Sequence, residues 1–93
     1  MSPEELLDKV IDRDSFIAFV RALAEEREAA EQLERGEPVR YQLGGAHNWQ
    51  NGSISSFLYG SLAYFDLKPF HEPETVPSWK MIAEILYYGK IYE

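Results

Sequence analysis

Apolar residues recur at three- and four-residue spacing over most of this chain, and that period belongs to helices. Leu6, Leu7, Val10 and Ile11 form the first cluster, behind Ser2-Pro3-Glu4-Glu5. Ser2 suits an N-cap, Pro3 the first helical position, and Glu5 closes a capping box, so the pattern predicts a short helix over 3–11. Asp12 or Asp14 can cap a second helix in which Phe16, Phe19, Val20 and Leu23 share one stripe. That helix runs to Arg35, where Gly36 and Pro38 stop it. Between Ala24 and Gly36 only Ala29, Ala30 and Leu33 are apolar. Helix propensity and pairs such as Glu31 with Arg35 must hold this half, so it is expected to project from the domain or to fray.

Residues 37–52 break the period. Val39, Tyr41 and Leu43 alternate with Arg40 and Gln42, which predicts a short extended segment over 39–43, able to pair with 90–92. Gly44-Gly45 ends it. A third helix is predicted over 53–65, capped by Asn51 or Ser53, with Ile54, Phe57, Leu58, Leu62 and Phe65 turned to the core. Pro69, Pro73 and Pro77 make 66–77 a loop. Ser78 caps a fourth helix over 79–88, whose stripe is Trp79, Ile82, Ala83 and Leu86. Gly89 is placed as its C-cap, with a positive φ that turns Ile91 or Tyr92 back onto the domain. The fold class is therefore all-α in the main: one compact four-helix domain over 1–93, with at most one short two-stranded element. Its core is expected from Phe16, Phe19, Val20, Leu23, Ile54, Phe57, Leu58, Leu62, Trp79, Ile82, Ala83 and Leu86.

Composition changes the picture in three places. With 93 residues, 45% apolar, there is material for one core and no more. No cysteine is present, which removes disulfides and thiolate metal sites and points to a reducing cytoplasm. The acidic start without an apolar run, and apolar stretches only a few residues long, predict neither a signal peptide nor a membrane span. The net charge of −7 is concentrated in residues 1–38, which hold eleven acids against five bases. Nucleic acid and anionic lipid both demand the opposite sign, so neither is an expected partner; a basic protein would be attracted.

Catalytic and metal-binding patterns are not evident. His47 and His71 are isolated and in loops, whereas zinc wants three or four rigidly held ligands. Ser53, Ser55, Ser56 and Ser61 lie in a helix without a nucleophile elbow. Gly44-Gly45 lacks the glycines and the lysine of a phosphate loop. The carboxylates crowd an exposed helix face, where nothing would raise their pKa values. No enzyme activity, cofactor or metal is expected. What stands out is aromatic: Trp49, Trp79 and six tyrosines, more than one helical stripe can bury. Such residues are favoured at interfaces. The alternative is a ligand-binding or enzymatic pocket lined by Trp49, Tyr59, Trp79 and Tyr88.

The second half resembles a small bacterial family of unknown function. The likeness rests on Trp49-Gln50-Asn51 ahead of Ile54…Phe57-Leu58, and on Pro77-Ser78-Trp79…Ile82-Ala83-Glu84-Ile85-Leu86…Gly89-Lys90-Ile91-Tyr92-Glu93. Asp14-Ser15-Phe16…Phe19-Val20…Leu23-Ala24 is a weaker echo. The resemblance implies that 27–48 is an insertion, variable within the family. It assigns no activity; small acidic bacterial proteins of this kind include immunity and antitoxin-like partners of effectors. Physically, Trp49 would fold over the entry to the third helix with Asn51 as cap, and Trp79 would anchor the fourth in the core. Lys90 would answer that helix's negative end, and Tyr92 and Glu93 would dock or be displayed. The expected function is a non-enzymatic protein–protein interaction domain. Its candidate binding residues are Trp49, Asn51, Tyr59, Trp79, Tyr88, Lys90 and Tyr92, and its partner is another protein, basic in character, or a second copy.

Overall fold

Each helix begins where a short polar side chain satisfies backbone amides that have no partner within the helix. The computed structural model describes residues 1–42, 44–67 and 76–92. Helix α1 spans Pro3–Leu7, with Ser2 and Glu5 in a reciprocal capping box. Helix α2 spans Arg13–Gly36 behind a second box, in which the Ser15 amide donates to the Asp12 carboxylate at 2.9 Å. A single 3-10 turn, Ala46–Asn48, follows. Helix α3 spans Ile54–Leu67 and helix α4 spans Trp79–Ile91, the latter capped by Ser78. Ser53 takes the capping place of α3, accepting from the Ser56 amide at 3.2 Å.

Helix α4 lies between the others. It packs most extensively on α3, on its other side against α2, and α1 closes the end where α2 and α4 meet. The core gathers Val10, Phe19, Leu23, Ala30, Ala46, Trp49 and Ala83, with Leu6, Leu7, Phe16, Phe57, Leu86 and Tyr87 around it. The result is a flat molecule, 45 × 27 × 17 Å.

Several expectations change. The first helix stops at Leu7 instead of continuing to 11, because Asp12 needs an extended backbone (φ −150°) to cap α2. The Leu7 carbonyl at its end accepts from the Val10 amide at 3.2 Å and from the Lys80 ammonium at 2.6 Å. The second half of α2 does not project. Arg27 grips Glu34 through two bonds of 3.1 and 2.9 Å, and Glu34 in turn accepts the Ala46 amide at 3.0 Å, which lays the loop over a fully buried Ala30.

Among the described residues there is no strand. Residues 38–42 form turns and bends, and 90–91 belong to α4, so the 39–43/90–92 pair does not form; Leu43 itself lies outside the described residues. The Gln50 amide instead donates to the Lys90 carbonyl at 2.9 Å. Gly89 is no C-cap either: no described glycine has a positive φ, and α4 runs through it to Ile91. Residues 68–75, which include His71 and most of the loop expected over 66–77, and Glu93 also lie outside the described residues.

The largest correction concerns α3. Its inward line is Phe57, Gly60, Ser61 and Tyr64, while Ile54, Leu58, Leu62 and Phe65 are exposed. Close approach of two backbones decides this. A Cβ on Gly89 would stand 2.5 Å from the Ser61 hydroxyl and 2.8 Å from the Phe57 ring, and one on Gly60 would collide with the Tyr92 carbonyl and the Asn51 amide. Where glycines face each other the helices come near enough to exclude leucines from the seam, so the larger residues turn outward. Trp79 is likewise largely exposed, resting on Phe16 at 5.2 Å between ring centres instead of anchoring α4 in the core.

Candidate functional site

Three of the residues singled out in the sequence, Trp49, Asn51 and Lys90, meet at the junction of α1, α2 and α4. Lys90 sits in the last turn of α4 with only 1% of its surface exposed. Its ammonium donates to Glu26 of α2 at 2.6 Å and to Glu4 of α1 at 2.9 Å. The same Glu26 oxygen accepts the indole N–H of Trp49 at 2.9 Å. Arg27 lies 5.3 Å from the Trp49 ring centre and the Lys90 ammonium 5.7 Å, both within cation–π range. Asn51 does not cap α3. Its amide donates to the carbonyls of Gly89 and Tyr92, holding the C-terminal turn of α4, and no buried side-chain polar atom among the described residues is left unpaired.

The electrostatics follow from burial and pairing. Burial works to lower the Lys90 pKa, but its bonds to Glu26 and Glu4 outweigh this and hold it above the ordinary lysine value. Burial works to raise Glu4, and the Lys90 ammonium outweighs that too, holding the carboxyl low. A lysine that acts as a nucleophile needs the reverse shift, toward the neutral amine. This cluster therefore keeps its proton and its partners: it is a tie between three helices, with the Lys90 ammonium enclosed between Glu26 and Glu4.

The other candidates do not join it. Tyr88 stacks on Tyr92 at 4.6 Å and meets Tyr64 edge-on at 5.3 Å, along the α3–α4 seam. Burial raises the Tyr88 pKa, assisted by Tyr92. Tyr59 is 72% exposed on the outside of α3. Trp49, Tyr59, Trp79 and Tyr88 thus line no common pocket. An open groove of about 370 Å³ lies between α2 and the start of α3, with Leu86 of α4 in its lining. Val20, Leu23 and Phe57 make it apolar, and Arg27 and Glu31 stand at one end.

The sequence reading missed two features. Glu4 and Glu26 were counted among solvated acids, and nothing local distinguishes them from Glu25 or Glu28. The outward face of α3 was assigned to the core. There the signal existed: Gly60-Ser61 within one helix and Gly89 within the next are small residues at a helix contact. Ile54 (82% exposed), Leu58 (58%), Tyr59 and Leu62 consequently form an uncovered apolar face on a helix whose only charged residue is Asp66. No group of three or more His, Cys, Asp or Glu among the described residues is placed to hold a metal ion, and no helix there is long and apolar enough to cross a membrane.

Helical order, a buried ionic tie and an exposed apolar helix define a small all-α domain with a candidate binding face. The chain belongs to a family of unknown function, DUF7660, which matches residues 12–93. No curated protein and no solved structure matches it.

Proposed function

We propose that this chain is a non-enzymatic protein–protein interaction domain that engages its partner through the outward face of α3. The observation that carries the reading is the exposure of Ile54, Leu58, Tyr59 and Leu62 together on one well-formed helix. Scattered surface leucines are ordinary, but large apolar residues adjoining on one face mark a surface to be covered. Tyrosine among them is typical of interface centres, joining a large apolar body to a polar tip. Where that partner is a basic protein and not a second copy, as in an immunity- or antitoxin-like role toward a bacterial effector, the acidic first half would add long-range attraction.

A photo-reactive amino acid placed at Leu58, and separately at Glu28 on the charged outside of α2, tests the assignment in living cells. Protein adducts at Leu58 and none at Glu28 are expected. Adducts at Glu28 alone, or at neither position, would overturn it.

A further inference from the structure

We infer that the surface covering α3 is the α3 of a second copy of this chain, the two helices packed antiparallel about a two-fold axis; this rests on the interaction reading above and names its partner. Three observations carry it. The first is area. The molecule exposes 6458 Å² at a mass of 10.8 kDa. A folded monomer of that mass ordinarily exposes about 5,500 Å². The surplus of roughly 900 Å², taken over the whole chain and not over α3 alone, is of the order of the ~800 Å² that each partner contributes to a standard stable interface. The radius of gyration agrees: 14.1 Å, where about 12.3 Å is usual for this length.

The second is charge. Each copy carries −7, so two copies repel unless they meet where the charge is not. A two-fold contact sets the same patch against itself, so a patch of one sign would face its own sign. Most of the molecule fails that condition, α2 above all. Helix α3 meets it, with Asp66 as its single charged residue, next to its last position.

The third is direction. In a parallel pair the two Asp66 carboxylates would stand side by side and the helix dipoles would align. The antiparallel pair separates the carboxylates to opposite ends and opposes the dipoles. Leu58 and Leu62, a turn apart near the middle of α3, then lie at the centre, with Ile54 and Tyr59 beside them.

Light scattering and sedimentation of the full chain at micromolar concentration test this. The expected mass is twice 10.8 kDa. Leu58→Glu and, separately, Leu62→Glu should each return it to a single copy, with helical circular dichroism unchanged because both side chains are already exposed. Raising salt should tighten the dimer by screening the repulsion between two acidic copies. A single-copy mass at every concentration, a dimer indifferent to both substitutions, or one that salt loosens would each overturn the inference. A monomer whose Leu58 probe captures a different protein would overturn it while leaving the interaction reading standing. A monomer with no adduct would remove both.

Discussion

On its α2 side, helix α4 sends a lysine into the interior; on its α3 side, one residue earlier, it sends no side chain at all. Lys90 reaches two carboxylates on two other helices, and its burial is tolerable because both are within hydrogen-bond distance. Gly89 works by omission, letting Ser61 and Phe57 come against the backbone. The first contact is specific but intolerant of losing any member. The second depends on shape alone, and the large residues it expels become the surface of α3. A single helix thus unites a polar lock with an apolar display, and the display follows from how the second contact is made.

Removing the lock should have the largest effect. Lys90→Ala leaves Glu26 and Glu4 facing each other without a cation, and breaking a buried pair of this kind costs about 3–5 kcal/mol. Domains are stable by only about 5–15 kcal/mol, so the variant should be largely unfolded near its present melting temperature. Chemical denaturation checks this, and a loss below about 1 kcal/mol would mean that packing, not charge, secures that side.

The shape-based contact should give a smaller answer. Gly60→Ala introduces a Cβ that meets the Tyr92 carbonyl and the Asn51 amide; the carbonyl is backbone and yields only by moving the helix. Overpacking of that order costs about 1–3 kcal/mol. Gly36→Ala is the control, since a Cβ there meets nothing within 4 Å. Equal melting temperatures for the two variants would show that the α3–α4 seam has room to spare, against the comparison drawn here.

The smallest expected effect is in pH dependence. Glu4 has a folded pKa below its ordinary 4.5, so its contribution is present above that value and fades as pH falls through the lower folded one. Lys90 has a folded pKa above its ordinary 10.5, so its contribution is complete below 10.5 and fades as pH rises through the higher folded value. The lock is therefore at full strength between those limits. Melting temperature against pH should show a shallower acid limb in Glu4→Gln than in the parent. A remainder should persist, because Arg27 holds Glu34 low as well, against a smaller effect of burial. Identical limbs would place Glu4 outside the lock.

Helix number, order and caps were legible because they are local: Ser2, Asp12 and Ser78 announce themselves to the residue three positions on. Membership in a family of unknown function, expected from a resemblance, holds over residues 12–93. What faced what was not legible. The apolar period of α3 gives a stripe through Ile54, Leu58, Leu62 and Phe65, and the usual inference buries it. The fold obeys a longer-range fact, that Gly60 and Gly89 come from segments 29 positions apart and meet. The same holds for Lys90, whose partner Glu4 is 86 positions away. Trp49 and Asn51 stand out in the sequence as candidate binding residues, yet Trp49 is consumed in joining α2 to α4 and Asn51 in holding the C-terminal turn of α4. The candidate site lay instead among residues too plainly hydrophobic to seem informative.

Helix α1 carries one more consequence. The family match starts at residue 12, after α1 has ended, yet α1 supplies Glu4 to Lys90 and the Leu7 carbonyl to Lys80. The stretch that relatives share and the stretch that folds as a unit are thus not the same length. A shortened gene designed on the family boundary would delete two acceptors whose donors it keeps, one of them sealed in the interior. Anyone trimming this protein for expression, or fusing a reporter at its front, would be cutting through a keystone that sequence comparison draws as margin.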